Sequence, residues 1–125
     1  MADLGNVTEA RRMAEQAGDV DLLVNNAAIA ILEPLLETKV ESWDATMAVN
    51  LRAVLIVSQV VAKRMIERGV SGSIVNISSM SSFQALPNHA AYAASKAGLD
   101  QLSKVTEPLS SGRMEFESTR LIPQW

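Results

Sequence analysis

Residues 19–28, DVDLLVNNAA, decide the fold class of this sequence. The apolar run within them shows no alternation of polar and apolar residues, which is typical of a parallel strand that is buried on both faces. We predict this strand over residues 21–25. Residues 72–79, GSIVNISS, repeat the pattern and predict a second strand.

Helical segments alternate with the two strands. They are residues 7–18, 41–47, 48–68 and 89–105. Thr8 is the predicted N-cap of the first helix, and Gly18 and Gly69 are predicted to end the first and third. Because the crossovers are long enough to join parallel strands, this order predicts an α/β fold with a doubly wound parallel sheet.

The composition is that of a single globular domain. The 125 residues are 48% hydrophobic and 20% charged, with a net charge of −3. This charge provides no basic surface, so we expect no nucleic-acid partner. The chain contains no cysteine and a single histidine, His89, so we expect neither a disulfide nor a metal site, and we expect a cytoplasmic location.

The sequence shows no targeting or membrane-spanning signal. Residues 1–16, MADLGNVTEARRMAEQ, lack the apolar core of a signal peptide. No uninterrupted apolar run reaches the ~20 residues of a membrane-spanning helix. We therefore expect no transmembrane segment.

Tyr92, the only tyrosine, precedes Lys96 by four residues in NHAAYAASKAG. On a helix this spacing puts both side chains on one face. An ammonium group near a phenol stabilises the phenolate, so such a tyrosine can donate a proton to a carbonyl oxygen. A tyrosine with a lysine one turn away also occurs in helices without any catalytic role, and spacing alone leaves both interpretations open.

Two further polar residues lie where a substrate could bind. Ser79 follows the second predicted strand, and open α/β sheets bind ligands at the carboxyl ends of their strands. Its hydroxyl could hydrogen-bond a substrate oxygen, or it could simply cap a turn. Asn50 lies within an apolar helix, where asparagine is a mediocre helix former. It has either a functional role or a buried structural hydrogen bond.

The motifs NNAA, VNL, IVNISS and YAASK, in this order and spacing, resemble the short-chain dehydrogenase/reductase family over residues 2–105. The resemblance implies a Rossmann-like sheet and catalysis by four residues. Tyr92 would be the general acid, and Lys96 would make it a stronger acid and hold the nicotinamide ribose. Ser79 would orient the carbonyl, and Asn50 would anchor a water of a proton relay.

The resemblance also implies binding residues. Asn25 would steady the central strand, Ala27 would lie where the backbone approaches the cofactor, and Asp3 and Leu4 would lie beside the adenine. His89 would line the substrate pocket together with Ser79 and Tyr92. The implied cofactor is NADP(H), the implied substrates are α-dicarbonyls and sugars such as L-xylulose, and the implied assembly is a homotetramer.

The sequence departs from the family pattern before its first helix. Members of the family open with a strand and a turn T-G-x-x-x-G-x-G, whose backbone amides hold the cofactor pyrophosphate. The six glycines of this chain are scattered and form no such turn. We therefore interpret residues 1–106 as a partial domain that lacks the first strands. We expect it to be marginally stable, to bind NADPH weakly or not at all, and to be weakly active or inactive.

The sequence departs again after Thr106. Residues 107–125 have neither helical nor strand periodicity, and we predict a disordered tail. Regrouping permitted codons for this segment in a shifted frame can spell the continuation expected of the family, so we interpret it as a frameshifted product.

A non-catalytic role is the alternative. In the family, the helices that match residues 48–68 and 90–106 pack against their counterparts in another subunit. A fragment could therefore associate with full-length subunits through these two helices.

Overall fold

Two short parallel strands, β1 (Leu22–Asn25) and β2 (Ser73–Asn76), form the sheet. The computed structural model of the chain describes residues 1–106. Leu22 is paired with Ser73 and Asn25 with Asn76, so the strands are in register along their whole length. Both predicted strands, their parallel pairing and the α/β class are confirmed. Residues 107–125, with the predicted tail, lie outside the described residues.

Four α-helices accompany this sheet in the order that the sequence predicts. They are α1 (Val7–Gln16), α2 (Val40–Met47), α3 (Ala53–Arg68) and α4 (Ala90–Thr106). Short 3₁₀ turns occupy Leu35–Glu37 and Met80–Ser82.

The first turn of α1 corrects the predicted cap. Asn6, not Thr8, is the N-cap: its side-chain Oδ1 accepts hydrogen bonds from the backbone N–H groups of Thr8 (2.9 Å) and Glu9 (3.1 Å). Asn6 has the extended backbone of a cap residue, whereas Thr8 is already inside the helix. Gly18 follows the end of α1 with a φ of 72°, which agrees with its predicted role as a helix stop.

A π turn, Ala48–Arg52, joins α2 to α3 without interruption. The predicted start of a separate helix at Ala48 is therefore wrong, because the chain stays helical there and only the hydrogen-bond spacing widens. The predicted end at Gly69 is confirmed, since Gly69 has the left-handed conformation that closes α3.

The continuous helix Val40–Arg68 has 29 residues and a mean hydropathy of 1.6 over its most apolar window, so length and composition alone would let it cross a membrane. The sequence had predicted no such segment, because charged residues interrupt the apolar run. Of that window, 44% is buried inside the described residues, where the helix packs against its neighbours. The core helix of a globular fold passes the same two tests.

The core lies where α1 and α3 pack together on the sheet. Its buried members are Ala14, Val57, Val61 and Met65. Leu23 of β1 packs against this cluster. Arg64 of α3 donates a 2.7 Å hydrogen bond to the Glu15 carbonyl, so it also satisfies the open end of α1.

The opposite face of the sheet is open in the part of the chain that the structure describes. Leu22 and Val24 of β1 are 60% and 51% exposed, whereas Leu23 and Asn25 point toward the helices. The prediction that this strand is buried on both faces is therefore wrong for the described residues, which supply the helical layer on one face only.

Candidate active site

Tyr92 and Lys96 lie on one face of α4, as their spacing predicts. The Lys96 Nζ is 5.7 Å from the centroid of the Tyr92 ring. Lys96 is only 3% exposed, and its ammonium donates a 2.7 Å hydrogen bond to the Ile77 carbonyl. The lysine is thus fixed beneath the tyrosine by the residue that follows β2.

Ile77 connects this lysine to both strands. Its N–H donates a 3.0 Å hydrogen bond to the Asn25 carbonyl at the end of β1, while its own carbonyl accepts the bond from Lys96. The Tyr92–Lys96 pair is therefore held at the carboxyl ends of β1 and β2, which is where open α/β sheets bind their ligands.

Two opposing effects act on the pKa of Lys96. Burial disfavours the charged ammonium and lowers this pKa from its ordinary value, and the negative charge of Asp100 raises it by a smaller amount. The net pKa of Lys96 is lowered.

Ser79 follows the second strand, as predicted, and is half-buried. It is the N-cap of the Met80–Ser82 turn, where its Oγ accepts a 3.2 Å hydrogen bond from the Ser81 N–H. This turn packs against α4, the helix that carries Tyr92. The capping role proposed as an alternative for Ser79 is thus present. Its hydroxyl hydrogen is directed to the Ser81 Oγ at 3.3 Å, a long hydrogen bond that a bond to a substrate oxygen would have to replace.

Asn50 is 1% exposed and lies within the π turn. Its Oδ1 accepts a 2.8 Å hydrogen bond from the Ile29 N–H, and its Nδ2 donates to the Ile29 carbonyl (2.9 Å) and to the Ser95 Oγ (3.0 Å). The structural hydrogen bond considered as an alternative is therefore present. Because both amide hydrogens bond protein atoms, a relay water at this turn would have to use another group of Asn50.

Ser95 is a site residue that the sequence reasoning missed. It is completely buried and donates a 2.7 Å hydrogen bond to the Tyr92 carbonyl while it accepts the bond from Asn50. Ser95 thereby links the π turn to the first turn of α4. The available signal was its position three residues after Tyr92, on the same face of the helix.

A second polar network lies under the sheet. The Asn25 Nδ2 donates to the Ser58 Oγ (3.1 Å) and the Asn76 Oδ1 (2.8 Å), and the Asn76 Nδ2 donates to the Ser103 Oγ (2.9 Å). The network connects α3, both strands and α4. Its geometry agrees with the expectation that Asn25 steadies the strand, and Asn76 is a partner that the sequence reasoning did not identify.

Of the two residues expected beside the adenine, Leu4 lines a hollow of about 210 Å³ between β1, α1 and α3. Asn25, expected to steady the strand, and Ala27, expected where the backbone approaches the cofactor, line the same hollow. Asp3, the other residue expected beside the adenine, lies directly before Leu4 in a tight turn. Its Oδ1 accepts a 2.8 Å hydrogen bond from the Gly5 N–H. The hollow is mostly apolar and suits a flat ring. At Lys96, one of the three ammonium hydrogens bonds the Ile77 carbonyl, and the other two could bond a ribose hydroxyl. The described residues contain no glycine-rich turn for the phosphates.

His89, expected in the substrate pocket, lies against Tyr92. The two rings meet edge to face, with centroids 6.2 Å apart and planes at 72°. The His89 Nδ1 is 2.5 Å from the Pro87 carbonyl oxygen. Within residues 1–106, no three of the His, Asp and Glu side chains form a group that could hold a metal ion.

The sequence matches the family model of short chain dehydrogenase over residues 2–110. The chain belongs to this family. Its fold is that of the short-chain dehydrogenases, since it superposes on a putative NAD(P) dependent gluconate 5-dehydrogenase from Beutenbergia cavernae, solved with bound NADP, with a TM-score of 0.85 at 39% identity. The superposition covers 92% of this chain and 47% of that one.

Among curated proteins, the chain is 52% identical over 103 residues to the L-xylulose reductase of Homo sapiens. It is 51% identical over 102 residues to the carbonyl reductase (NADPH) 2 of Sus scrofa. Both matches cover 82% of this chain and 42% of the relative. The chain thus spans about two fifths of the length of these relatives.

Proposed function

We propose that Tyr92, Lys96, Ser79 and Asn50 are the catalytic groups of an NADPH-dependent carbonyl reductase that acts on L-xylulose and on α-dicarbonyls. The observation that carries this proposal is the placement of Tyr92 and Lys96 at the carboxyl ends of both strands, with the Lys96 ammonium fixed by the Ile77 carbonyl. The names of the two relatives, L-xylulose reductase and carbonyl reductase (NADPH) 2, support the choice of substrate and cofactor.

In the proposed reaction, Tyr92 donates its phenolic proton to the carbonyl oxygen of the substrate. The Lys96 ammonium stabilises the phenolate that forms, and Ser79 donates a hydrogen bond to the same carbonyl oxygen as it gains negative charge. Asn50 holds, through a group other than its two amide hydrogens, a relay water that returns a proton to Tyr92. His89 lines the pocket beside Tyr92. NADPH, when bound, supplies the hydride that reduces the carbonyl carbon.

The proposed cofactor contacts divide between α4 and the region around β1. Lys96 and Tyr92 hold the nicotinamide ribose. Asp3 and Leu4 lie beside the adenine, Asn25 steadies the strand, and the backbone at Ala27 approaches the cofactor. Since the 125 residues include no glycine-rich turn for the pyrophosphate, we propose that this chain alone binds NADPH weakly and is weakly active or inactive. A cytoplasmic location, in keeping with the absence of cysteine, is part of the same proposal.

A chimera tests the catalytic proposal with the missing segments supplied. Residues of this chain would replace the 103 residues they match in the Homo sapiens L-xylulose reductase. We expect the chimera to oxidise NADPH when L-xylulose or diacetyl is added. The fall in NADPH absorbance measures this reaction. The matched control is Tyr92→Phe, which keeps the ring and removes the acid. A folded chimera without turnover, or turnover that survives Tyr92→Phe, would refute the proposal.

A second candidate function is association with full-length subunits through residues 48–68 and 90–106. It is favoured by an apolar groove of about 650 Å³ between α2, the π turn, α3 and α4. Its lining residues are Asp44, Met47, Ala48, Leu51, Arg52, Leu55, Gly98 and Leu102. Leu55 is exposed there although it is apolar, as expected of a contact with another subunit.

Mixing tests the association. This chain would be refolded together with the Homo sapiens L-xylulose reductase, which shares 52% identity over the matched region. We expect activity to fall as the proportion of this chain rises, and Leu55→Asp to abolish that effect. If the reductase activity did not change and the two proteins eluted separately in size-exclusion chromatography, association would be excluded.

A further inference from the structure

Asp100 lies one helical turn after Lys96 on α4, and nothing in the proposed mechanism uses it. A spacing of four residues puts the two side chains on the same face of the helix. The Asp100 Oδ1 is buried and has no hydrogen-bond partner among residues 1–106. Burying a carboxylate oxygen without a donor is costly, so a nearby cation is its natural compensation.

Lys96 has the complementary problem. It is buried, and the one hydrogen bond of its ammonium in the described region goes to the neutral Ile77 carbonyl. Burial favours the uncharged amine and lowers the pKa of Lys96, while Asp100 opposes this change. An uncharged amine would not stabilise a phenolate at Tyr92, so a neighbouring anion that favours the charged form of Lys96 would assist the proposed mechanism.

Within the described residues, Asp100 is the only anionic side chain of α4, and it lies one turn from Lys96 on the same face. The elements that pack against α4 are α2, the π turn and the Met80–Ser82 turn. The charged or titratable side chains on these elements, on α4 itself and directly before it are Glu41, Asp44, Arg52, His89, Tyr92, Asp100 and Lys104. Of these, Asp100 alone shifts the pKa of Lys96, and the remaining cause is burial.

We propose that Asp100 is a positioning residue whose half-buried carboxylate, with its buried Oδ1, keeps the Lys96 ammonium charged beneath the end of β2. The proposal rests on the reductase function proposed above, in which the charge of Lys96 assists Tyr92. It adds to that site a residue that touches neither substrate nor cofactor and acts only through Lys96.

Nuclear magnetic resonance of lysine tests the proposal in the chain as it exists. The sequence has four lysines, Lys39, Lys63, Lys96 and Lys104, so ¹³Cε labelling yields a small set of signals. The Lys96 signal is assigned by its loss in Lys96→Arg. We expect Asp100→Asn to move the titration midpoint of Lys96 to lower pH, and Asp100→Glu to restore it.

The chain contains a matched control in the exposed pair Lys63 and Glu67. These residues have the same spacing, with Nζ and Oε1 3.9 Å apart, but their side chains are 77% and 60% exposed. Water and salt screen such a pair, so Glu67→Gln should move the Lys63 midpoint much less than Asp100→Asn moves that of Lys96.

A Lys96 midpoint that stays in place in Asp100→Asn, or moves no more than that of Lys63 in Glu67→Gln, would overturn the proposal. Circular dichroism establishes that each variant is folded, and Asp100→Ser is a second neutral variant if Asp100→Asn does not fold. The titration uses neither NADPH nor substrate. Its outcome is therefore separate from that of the chimera, and either proposal can fail alone.

Discussion

Asn76→Ala tests the polar network that joins the sheet to the helices on either side of the site. Asn76 is 4% exposed, accepts a 2.8 Å hydrogen bond from Asn25 and donates a 2.9 Å bond to Ser103. The substitution removes both bonds and leaves a space where the amide was. Asn25 keeps its bond to Ser58, and Ser103 keeps its 2.8 Å bond to the Leu99 carbonyl, so neither partner loses every contact.

The expected loss follows from these contacts. Each removed hydrogen bond contributes about 1 kcal/mol net, and the unfilled space of a few heavy atoms costs about 1 kcal/mol more. Asn76→Ala should therefore lower the free energy of unfolding by about 3 kcal/mol. With a urea dependence of about 1.5 kcal/mol per molar, the unfolding midpoint falls by about 2 M.

Urea unfolding measures this loss, with trimethylamine oxide added to bring a marginal fold into the measurable range. Ser73→Ala, on the same strand but without a hydrogen bond in that network, is the control and should change stability by less than about 0.5 kcal/mol. A double-mutant cycle with Ser103→Ala should yield a coupling of about 1 kcal/mol. If Asn76→Ala cost no more than Ser73→Ala, the network would not be holding α4 to the sheet.

Two further predictions concern α4. A Cβ on Gly98 would lie 2.9 Å from the Leu51 Cδ2, the movable end of a half-buried side chain, so Leu51 has to shift. The cost of this shift should roughly offset the gain of about 1 kcal/mol in helix propensity, and Gly98→Ala should change stability by less than about 1 kcal/mol. In the Leu51→Ala background the same change should stabilise the chain by about 1 kcal/mol, and an effect of equal size in both backgrounds would exclude this contact as the cause. Burial lowers the pKa of Lys96 in the folded chain below its ordinary value of 10.5, which applies to the unfolded chain. Between the folded and unfolded pKa values, the unfolded chain binds more protons than the folded chain. The stability of the wild type relative to Lys96→Met should therefore rise with pH between these two values and then level off. Unfolding free energies measured from pH 7 to 11 check the sign, and a difference that falls with pH would contradict it.

The sequence predicted those elements whose signal is local. The apolar runs DLLVN and GSIVN indicated both strands, and Gly69 indicated the end of α3, because these patterns depend on neighbouring residues only. The N-cap was assigned to Thr8 instead of Asn6, since both residues can cap and the choice depends on which backbone is extended. No sequence pattern marks a π turn, because it differs from an α-helix only in its hydrogen bonds.

The candidate site was predictable where the resemblance to the family named a residue. Tyr92, Lys96 and Ser79 lie at the carboxyl ends of the strands, as expected from the motifs that contain them. Ser95 was missed because its bond to Asn50 depends on how α4 packs against the π turn, whereas its spacing from Tyr92 indicates only a shared helix face. The burial of the Asp100 Oδ1 depends on the same packing.

The π turn also sets which side of a 29-residue helix meets the rest of the protein. Each residue of an α-helix advances the chain by about 100° around its axis, so one residue more or less in this turn would rotate everything after it by that angle. The apolar side of α3 would then leave the core cluster with α1, and Arg64 would lose the end of α1. The π turn around Asn50 therefore sets the rotation of α3 about the helix axis relative to α2. Because of this rotation, one unbroken helix can present one side to the candidate site at its start and another side to the core at its end.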